Sequence, residues 1–183
     1  MVFSLTQAAR ILGSAQHRLI HLCEKGVVVP NREAQGRGTS RKFSKRNLFD
    51  FAVALEMRRL ELPVSFTRAI LKVLRSFESE AKSTQEKFAI PDSLVAPGSP
   101  RLVLTIVDGE RLYFSLAAGR QAPRVFGGVS IRRPAVRGRG RHHRDIGRLR
   151  SSEAKETLAT ARTRVDVDLS RIAQDLEDGL ARA

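Results

Sequence analysis

The feature that most constrains the fold is a pair of short amphipathic segments near the start of the chain, each followed by a glycine. Thr6 is a good N-cap for the first helix and Ser14 for the second, because their side-chain oxygens can accept a main-chain hydrogen bond from the first turn. Gly13 and Gly26 then end the helices. The predicted helices cover residues 7–12 and 15–25. Two short helices joined through a Gly-containing turn are typical of a helix-turn-helix unit.

The segment after these helices predicts a basic β-hairpin. Residues 27–30 read Val-Val-Val-Pro and are expected to be extended, and residues 41–43 can return as a second strand. Residues 31–40 between them are polar and rich in glycine, which is typical of a hairpin loop.

Two longer helices follow the hairpin. Ser44 predicts the N-cap of a third helix that runs through about Leu60. The fourth helix begins at Val64 or Ser65 and is clearly amphipathic through Phe77.

Several of these landmarks occur in the order found in one family of DNA-binding proteins. They are Leu5-Thr-Gln-Ala-Ala9-Arg-Ile-Leu-Gly13, Gly26, Pro30, Arg41-Lys-Phe43-Ser44, and Leu60 with Ile70. Over residues 3 to about 77, the chain resembles the DNA-binding domain of MerR-type regulators. The resemblance implies a winged helix-turn-helix in which Ala9 packs between two helices and the helix over residues 14–25 enters the major groove. It also implies that the wing and the start of the third helix contact phosphates.

The second helix departs from the usual pattern of that family. Where Thr-Leu-Arg-Tyr-Tyr-Glu is usual, this chain has Arg18-Leu-Ile-His-Leu-Cys23. Ile20 replaces the arginine that contacts phosphate, so we infer that His17 and Arg18 take a larger share of the contacts. Arg18 is the candidate for hydrogen bonds to guanine edges. A solvated surface charge is the alternative for it and for several of the other predicted contacts. The predicted DNA-binding residues are Ser14, Gln16, His17, Arg18, His21, Arg32, Arg37, Arg41, Lys42, Lys45 and Arg46.

The net charge of +14 is divided unevenly along the chain. Residues 1–80 hold 14 basic and 7 acidic residues, which places an excess of basic charge on the segment that resembles a DNA-binding domain. Residues 120–150 hold 10 basic and 1 acidic residue, and include Arg137-Gly-Arg-Gly-Arg141-His-His-Arg144. This Arg/Gly segment is either a basic arm that binds nucleic acid non-specifically or a tether.

The middle of the chain predicts a small β-sheet region. Residues 80–100 are polar and contain Pro and Ser, so they are expected to form a linker. Two β-rich runs then flank Asp108-Gly109, which is a strong hairpin signal, and residues 124–131 can add a third strand. The expected role of this region is to sense a signal or to contact a partner.

The end of the chain predicts a helix that pairs with a second copy. Ser152 can cap a long helix, along which apolar residues recur at near-heptad spacing. We therefore expect a short coiled coil and a homodimer. The predicted dimerisation residues are Leu158, Val165, Leu169, Ile172 and Leu176.

Other classes of function find little support in the residues. No Ser/His/Asp set, phosphate-binding loop or carboxylate pair occurs at an informative spacing, so we expect neither enzymatic activity nor a cofactor. His17 and His21 have a spacing that can share a metal, but no local carboxylate completes the site. A single cysteine, Cys23, excludes an internal disulfide. Apolar runs are too short to span a bilayer and no signal peptide is recognisable, so we expect a cytoplasmic, nucleoid-associated protein.

The sequence as a whole predicts an α+β protein that is mostly α. Its expected parts are a winged-helix DNA-binding domain, a linker, a β-hairpin region, a basic Arg/Gly linker and a C-terminal dimerisation helix. They cover residues 1–79, 80–100, 101–133, 134–150 and 151–183.

The predicted function is sequence-specific binding of double-stranded DNA by a dimeric transcriptional regulator that contacts RNA polymerase and responds to an effector the sequence does not identify. One alternative is an excisionase-like or architectural DNA-binding accessory protein. Another is a protein-interaction module with vestigial DNA binding, which Ile20 favours.

Overall fold

The protein combines α-helices with small antiparallel sheets. A computed structural model describes residues 1–32, 40–84, 87–120, 122–131, 147–148 and 151–183. About 48% of the chain is helix and 21% is strand, which confirms a mixed α and β architecture. Arg37 and the run 137–144 lie outside the described residues, so their predicted roles stay predictions.

The described residues form six α-helices and seven strands. The helices are α1 (Leu5–Ile11), α2 (Gln16–Glu24), α3 (Lys45–Arg59), α4 (Val64–Thr84), α5 (Ser151–Ala159) and α6 (Leu169–Ala181). The strands are β1 (Val2–Phe3), β2 (Phe43–Ser44), β3 (Arg101–Val107), β4 (Arg111–Ala117), β5 (Arg124–Ser130), β6 (Gly147–Arg148) and β7 (Arg164–Asp168). They belong to two compact units. Unit 1 comprises Met1–Leu71 and Arg171–Ala183, and unit 2 comprises Lys72–Ser170.

Side-chain caps explain where the helices of unit 1 begin. The predicted Thr6 cap of α1 is wrong, because Ser4 forms a reciprocal capping box two residues earlier: its Oγ accepts from Gln7 N–H at 3.2 Å and its N–H donates to Gln7 Oε1 at 2.8 Å. The predicted Ser44 cap of α3 is confirmed, again as a capping box. The predicted Ser14 cap of α2 is wrong, since the capping position is Ala15, which makes no side-chain cap bond.

The two-stranded sheet of unit 1 joins the start of the chain to the start of α3. Phe3 lies opposite Phe43 in this antiparallel pair. The predicted pairing of residues 27–30 with 41–43 is wrong: among the described residues Phe43 pairs with Phe3, and a single bridge joins Arg32 to Lys42. Phe43 is fully buried and its ring lies 5.2 Å from the ring of Phe51, so this strand is fixed by packing in the core.

The C-terminal part of α6 belongs to the core of unit 1. Leu176 is 2% exposed, and a Cβ atom placed on Gly179 would lie 2.4 Å from the carbonyl oxygen of Ile11. The helix therefore approaches the main chain at the end of α1 more closely than any side chain would allow. The guanidinium of Arg10 donates to the main-chain oxygen of Ala183, and Lys45 at the start of α3 pairs with Glu177.

The predicted continuous helix over residues 151–183 is wrong. The structure places a helix, a strand and a second helix there, and Val165 lies in the strand. The apolar residues at near-heptad spacing pack within this chain. Leu169 and Leu176 are buried and Ile172 is half-buried. Leu158 packs on Val107, Tyr113 and Val125. The five predicted dimerisation residues therefore do not lie along one continuous helix, which the predicted coiled coil requires.

Unit 2 is built on a five-stranded antiparallel sheet in the order β6-β5-β4-β3-β7. The predicted hairpin around Asp108-Gly109 and the third strand are confirmed as β3, β4 and β5. Phe114 and Phe126 lie opposite each other on one face, 4.7 Å and 5.2 Å from the ring of Phe77.

The predicted linker over residues 80–100 is only partly a linker. The fourth helix continues to Thr84, and a 3₁₀ turn covers Asp92–Leu94. Phe88, Ile90 and Leu94 are buried, and Phe88 makes an edge contact with Phe77 at 6.1 Å. Much of this segment is therefore part of the core of unit 2. Its composition, which is rich in polar residues, does not indicate this.

The close approach of α6 at Gly179 predicts the sign of a mutational effect. Gly179→Ala should lower the free energy of unfolding by about 1–3 kcal/mol, because the added methyl meets the carbonyl oxygen of Ile11. An isolated helix would respond in the opposite direction, gaining about 0.5–1 kcal/mol from the same change. Urea unfolding followed by circular dichroism measures the difference. Exposed Gln174→Ala in the same helix is the control, and a stabilised Gly179→Ala variant would contradict this packing.

The carboxylate of Asp166 predicts a pH effect. Burial acts to raise its pKa, but hydrogen bonds from Arg164 and Thr105 and the charges of Arg164 and Arg101 outweigh it, so the pKa is lowered from its ordinary value of 3.8. A carboxylate with a lowered folded-state pKa stabilises the fold above its unfolded pKa and loses that contribution as pH falls through the folded value. The stability difference between the protein and Asp166→Asn should thus be largest near neutral pH and shrink below pH 3.8. A difference that is constant across pH 2–7, measured by urea unfolding at one low protein concentration, would contradict it.

Candidate nucleic-acid interface

The outward face of α2 carries most of the polar residues that the sequence singles out. Leu19 and Leu22 point into unit 1, with exposed fractions of 0% and 2%. His17 and His21 lie on the opposite face of the helix, Gln16 and Arg18 flank the buried face, and all four are exposed. A three-residue step between the two leucines places both on one side of the helix, which leaves the basic side chains facing solvent.

A tight turn joins α1 to α2 and fixes their relative orientation. Gly13 has a φ of +57°, which side-chain-bearing residues rarely adopt, and Ser14 N–H donates to the carbonyl oxygen of Ala9 at 3.0 Å. Ala8 and Ala9 are buried, as expected where two helices meet closely. The Oγ of Ser14 is itself buried without a hydrogen-bond partner among the described residues, so the predicted contact from Ser14 is not presented at the surface.

A groove of about 830 Å³ runs beside the outward face of α2. Its wall on one side is formed by His17, Arg18 and His21, and on the other by Arg58 and Arg59 at the end of α3. Arg58 donates to the carbonyl oxygen of Leu62 at 2.7 Å and Arg59 pairs with Glu56 at 3.0 Å, yet both arginines are exposed. The groove therefore carries basic side chains from two helices, together with the acidic Glu24 and apolar residues such as Ile20 and Leu55.

Arg58 and Arg59 are absent from the residues that sequence reasoning selects. Their basic character is visible in the sequence, but nothing local indicates that the end of α3 lies beside α2. Only the tertiary arrangement brings the two arginines to the same groove as Arg18.

The base of the predicted wing is held by main-chain hydrogen bonds. Lys42 N–H donates to the carbonyl oxygen of Arg32 at 3.0 Å, and Asn31 N–H donates to that of Lys42 at 2.9 Å. Arg32 is exposed, whereas Arg41 and Lys42 are half-buried. Buried Asn47 fixes the preceding segment, because its side-chain N–H donates to the carbonyl oxygen of Val29 at 2.9 Å. The tip of the hairpin, with Arg37, lies outside the described residues.

The two basic residues at the start of α3 are paired within the chain. Lys45 forms an ion pair with Glu177 of α6, and both side chains are about 30% exposed. The Nε of Arg46 lies 3.1 Å from a carboxylate oxygen of Asp50, which is fully buried. Arg46 therefore compensates a buried charge, which is a structural role, whereas the Lys45 pair lies nearer to solvent.

The predicted residues thus fall into two groups. The predicted DNA-binding residues that the structure describes lie in unit 1, and five of them are exposed: Gln16, His17, Arg18, His21 and Arg32. The predicted dimerisation residues are spread over α5, β7 and α6. The structure brings together the first group and not the second.

Comparison with known proteins adds no family or activity. Neither the models of known protein families nor the curated protein sequences give a match to this chain. Among the described residues, no helix combines the length and apolar character needed to cross a membrane. In the same part of the chain, no three His, Cys, Asp or Glu side chains are close enough together to hold a metal ion.

Proposed function

We propose that unit 1 is a winged helix-turn-helix domain of MerR-like type that binds double-stranded DNA with sequence specificity and regulates transcription. The observation that carries the proposal is the exposed surface of α2: Gln16, His17, Arg18 and His21 are all exposed, and the last three line a groove shared with Arg58 and Arg59. A helix with this character fits the major groove, whose width admits one α-helix.

Arg18 is the residue proposed to read bases. It lies in the first turn of α2, the part of a recognition helix that reaches base edges in helix-turn-helix proteins. Its guanidinium can donate two hydrogen bonds to the O6 and N7 atoms of a guanine. Gln16 and His17, which directly precede it, can contribute further contacts to bases or phosphates.

The flanking basic residues are proposed to hold the phosphate backbone. Arg32 and Lys42 meet at the base of the hairpin, and Arg58 and Arg59 lie across the groove from α2. Contacts of this kind position a protein on the duplex and account for most of the affinity, but they do not distinguish sequences. In the proposed interface, α2 therefore contacts the bases, whereas the base of the hairpin and the end of α3 contact the phosphates.

Lys45 is proposed to make a weakened phosphate contact. Its ion pair with Glu177 places a carboxylate beside the ammonium group, and a carboxylate repels the phosphates that the lysine would approach. In this arrangement α6 limits the affinity of unit 1 for DNA.

The general test measures affinity for selected and for random duplexes over a range of salt concentrations. Tighter binding to selected duplexes at every salt concentration supports specific regulation. Equal affinity for all duplexes would instead support an architectural or excisionase-like accessory protein. No retention on DNA at low salt would support a protein-interaction module.

Substitution of two basic residues should separate reading from holding. Arg18→Ala should reduce discrimination between selected and random duplexes by about 1–3 kcal/mol, since a bidentate guanine contact is lost. Lys42→Ala should weaken binding to both kinds of duplex alike. It should also make the fall of log affinity with log salt shallower by about 0.9, because one phosphate contact is lost. Fluorescence anisotropy with labelled duplexes measures both quantities. Equal loss of affinity for the two duplexes in Arg18→Ala would show that this residue contacts only phosphate.

Removal of the acid beside Lys45 should strengthen DNA binding. Glu177→Gln removes the negative charge beside the ammonium group, so affinity for any duplex should rise on the order of two- to tenfold at about 0.1 M salt, and the dependence of log affinity on log salt should become steeper. Asp178→Asn is the matched control, because it removes the same charge from a neighbouring position whose carboxylate accepts from Gln174 at 3.2 Å. Equal effects of the two variants would indicate that only net charge matters.

A further inference from the structure

The strand β7 forms an edge of the sheet of unit 2. Among the described residues its one partner strand is β3, which leaves its other side unpaired. Val165 lies on the same face of the sheet as buried Val167, yet it is 39% exposed. Among the described residues, this edge therefore combines an exposed apolar side chain with the charges of Arg164 and Asp166, and charges commonly protect edge strands.

The hydrogen bond between Asp108 and Thr163 indicates which main-chain groups point outward from β7. Asp108 N–H donates to the carbonyl oxygen of Thr163 at 3.0 Å, in continuation of the register that places Val165 opposite Ile106. In an antiparallel ladder, residues that bond to one neighbour alternate with residues that bond to the other. The main-chain groups of Val165 therefore face β3, and those of Arg164 and Asp166 face the free edge.

The sequence around Val165 is complementary to itself when reversed. It reads Arg162-Thr-Arg-Val165-Asp-Val-Asp168, with two arginines before the valine and two aspartates after it at the same spacing. Within β7 the side chains of Arg164, Asp166 and Asp168 share one face, because side chains alternate between faces of a strand. Two copies of this strand in antiparallel orientation can place Arg164 of each opposite Asp166 of the other.

We propose that β7 pairs with β7 of a second copy of this chain, antiparallel and with a two-fold axis at Val165. The two five-stranded sheets then join into one continuous sheet. Arg164 of each copy lies opposite Asp166 of the other and exchanges main-chain hydrogen bonds with it. The two Val165 side chains meet on the axis and cover each other from solvent.

Neighbouring registers are disfavoured by charge and by side-chain direction. A two-fold axis at Asp166 would place two aspartates directly opposite each other, which is destabilising. A shift by one residue would place charged side chains of one copy on the face that carries Val165 in the other. Only the axis at Val165 satisfies both conditions.

The same charges limit pairing with other strands. Within one copy, Arg164 pairs with Asp166 at 2.8 Å and Arg101 pairs with Asp168 at 2.9 Å, and these side chains remain partly exposed. A strand without matching charges would leave them opposite unfavourable neighbours. The edge is thus selective for its own sequence. This inference does not rest on DNA binding, because all the residues it uses belong to unit 2.

Charge reversal and charge exchange test the proposed pairing in solution. Sedimentation velocity over a range of concentrations should give a dimer for the protein. Asp166→Arg and Arg164→Asp should each weaken self-association at least about tenfold, because each creates two like-charge pairs across the axis. The double variant Arg164→Asp/Asp166→Arg should recover most of the dimer. Asp175→Arg on the exposed side of α6 is the matched control and should leave association unchanged.

A cysteine at the axis tests the register. Two residues opposite each other without mutual hydrogen bonds have Cα atoms about 4.5 Å apart, a separation that a disulfide can bridge. In a Cys23→Ser background, Val165→Cys should form a covalent dimer under mild oxidation, whereas Val29→Cys, a 58% exposed valine of unit 1, should not.

These experiments test the pairing of β7 with β7, and none of them depends on DNA binding. A monomer at all concentrations would overturn it, as would a dimer that neither single charge reversal weakens. Failure of the double variant to recover a dimer, although circular dichroism shows it folded, would also overturn it. Cross-linking equal to that of Val29→Cys would rule out the register at Val165.

Discussion

The close approach of α6 to the main chain of Ile11 constrains much of unit 1. It requires the glycine at position 179, because a Cβ atom there would lie 2.4 Å from a carbonyl oxygen. The approach also buries Leu176 and brings Glu177 to the side of Lys45. A segment whose apolar spacing is typical of a dimerisation helix therefore completes the core of its own chain. Its acidic residue then bears directly on the charge of the proposed DNA-binding surface.

Local chemistry in the sequence predicts much of the fold. The Ser44 cap and the Asp108-Gly109 hairpin are both predictable, because each depends on residues a few positions apart. The interruption of the C-terminal helix by β7 is not predictable in this way. Val165 fits both a near-heptad pattern and an edge strand, and only its pairing with β3 decides between the two. For the candidate site, the exposed face of α2 can be predicted from the spacing of its apolar residues. The groove arginines and the acid beside Lys45 come from distant segments, which local patterns do not bring together.

The two units present different kinds of surface, and we propose a different role for each. Unit 1 presents a helix face and a groove with exposed basic side chains, which we propose attract duplex DNA and read its bases. Unit 2 presents a sheet edge whose charges match those of its own reversed sequence. Dimeric readers of duplex DNA commonly recognise two half-sites related by a two-fold axis, so an edge that pairs with its own copy is compatible with the proposed function.

The central claim is that α2 reads the sequence of duplex DNA. Repeated selection of bound duplexes from a pool of random sequences tests it most directly, because the selected sequences report specificity without any assumption about the target. The account predicts enrichment of a motif that contains guanine, arranged as two inverted half-sites. A bound pool with the same composition as the starting pool would contradict it.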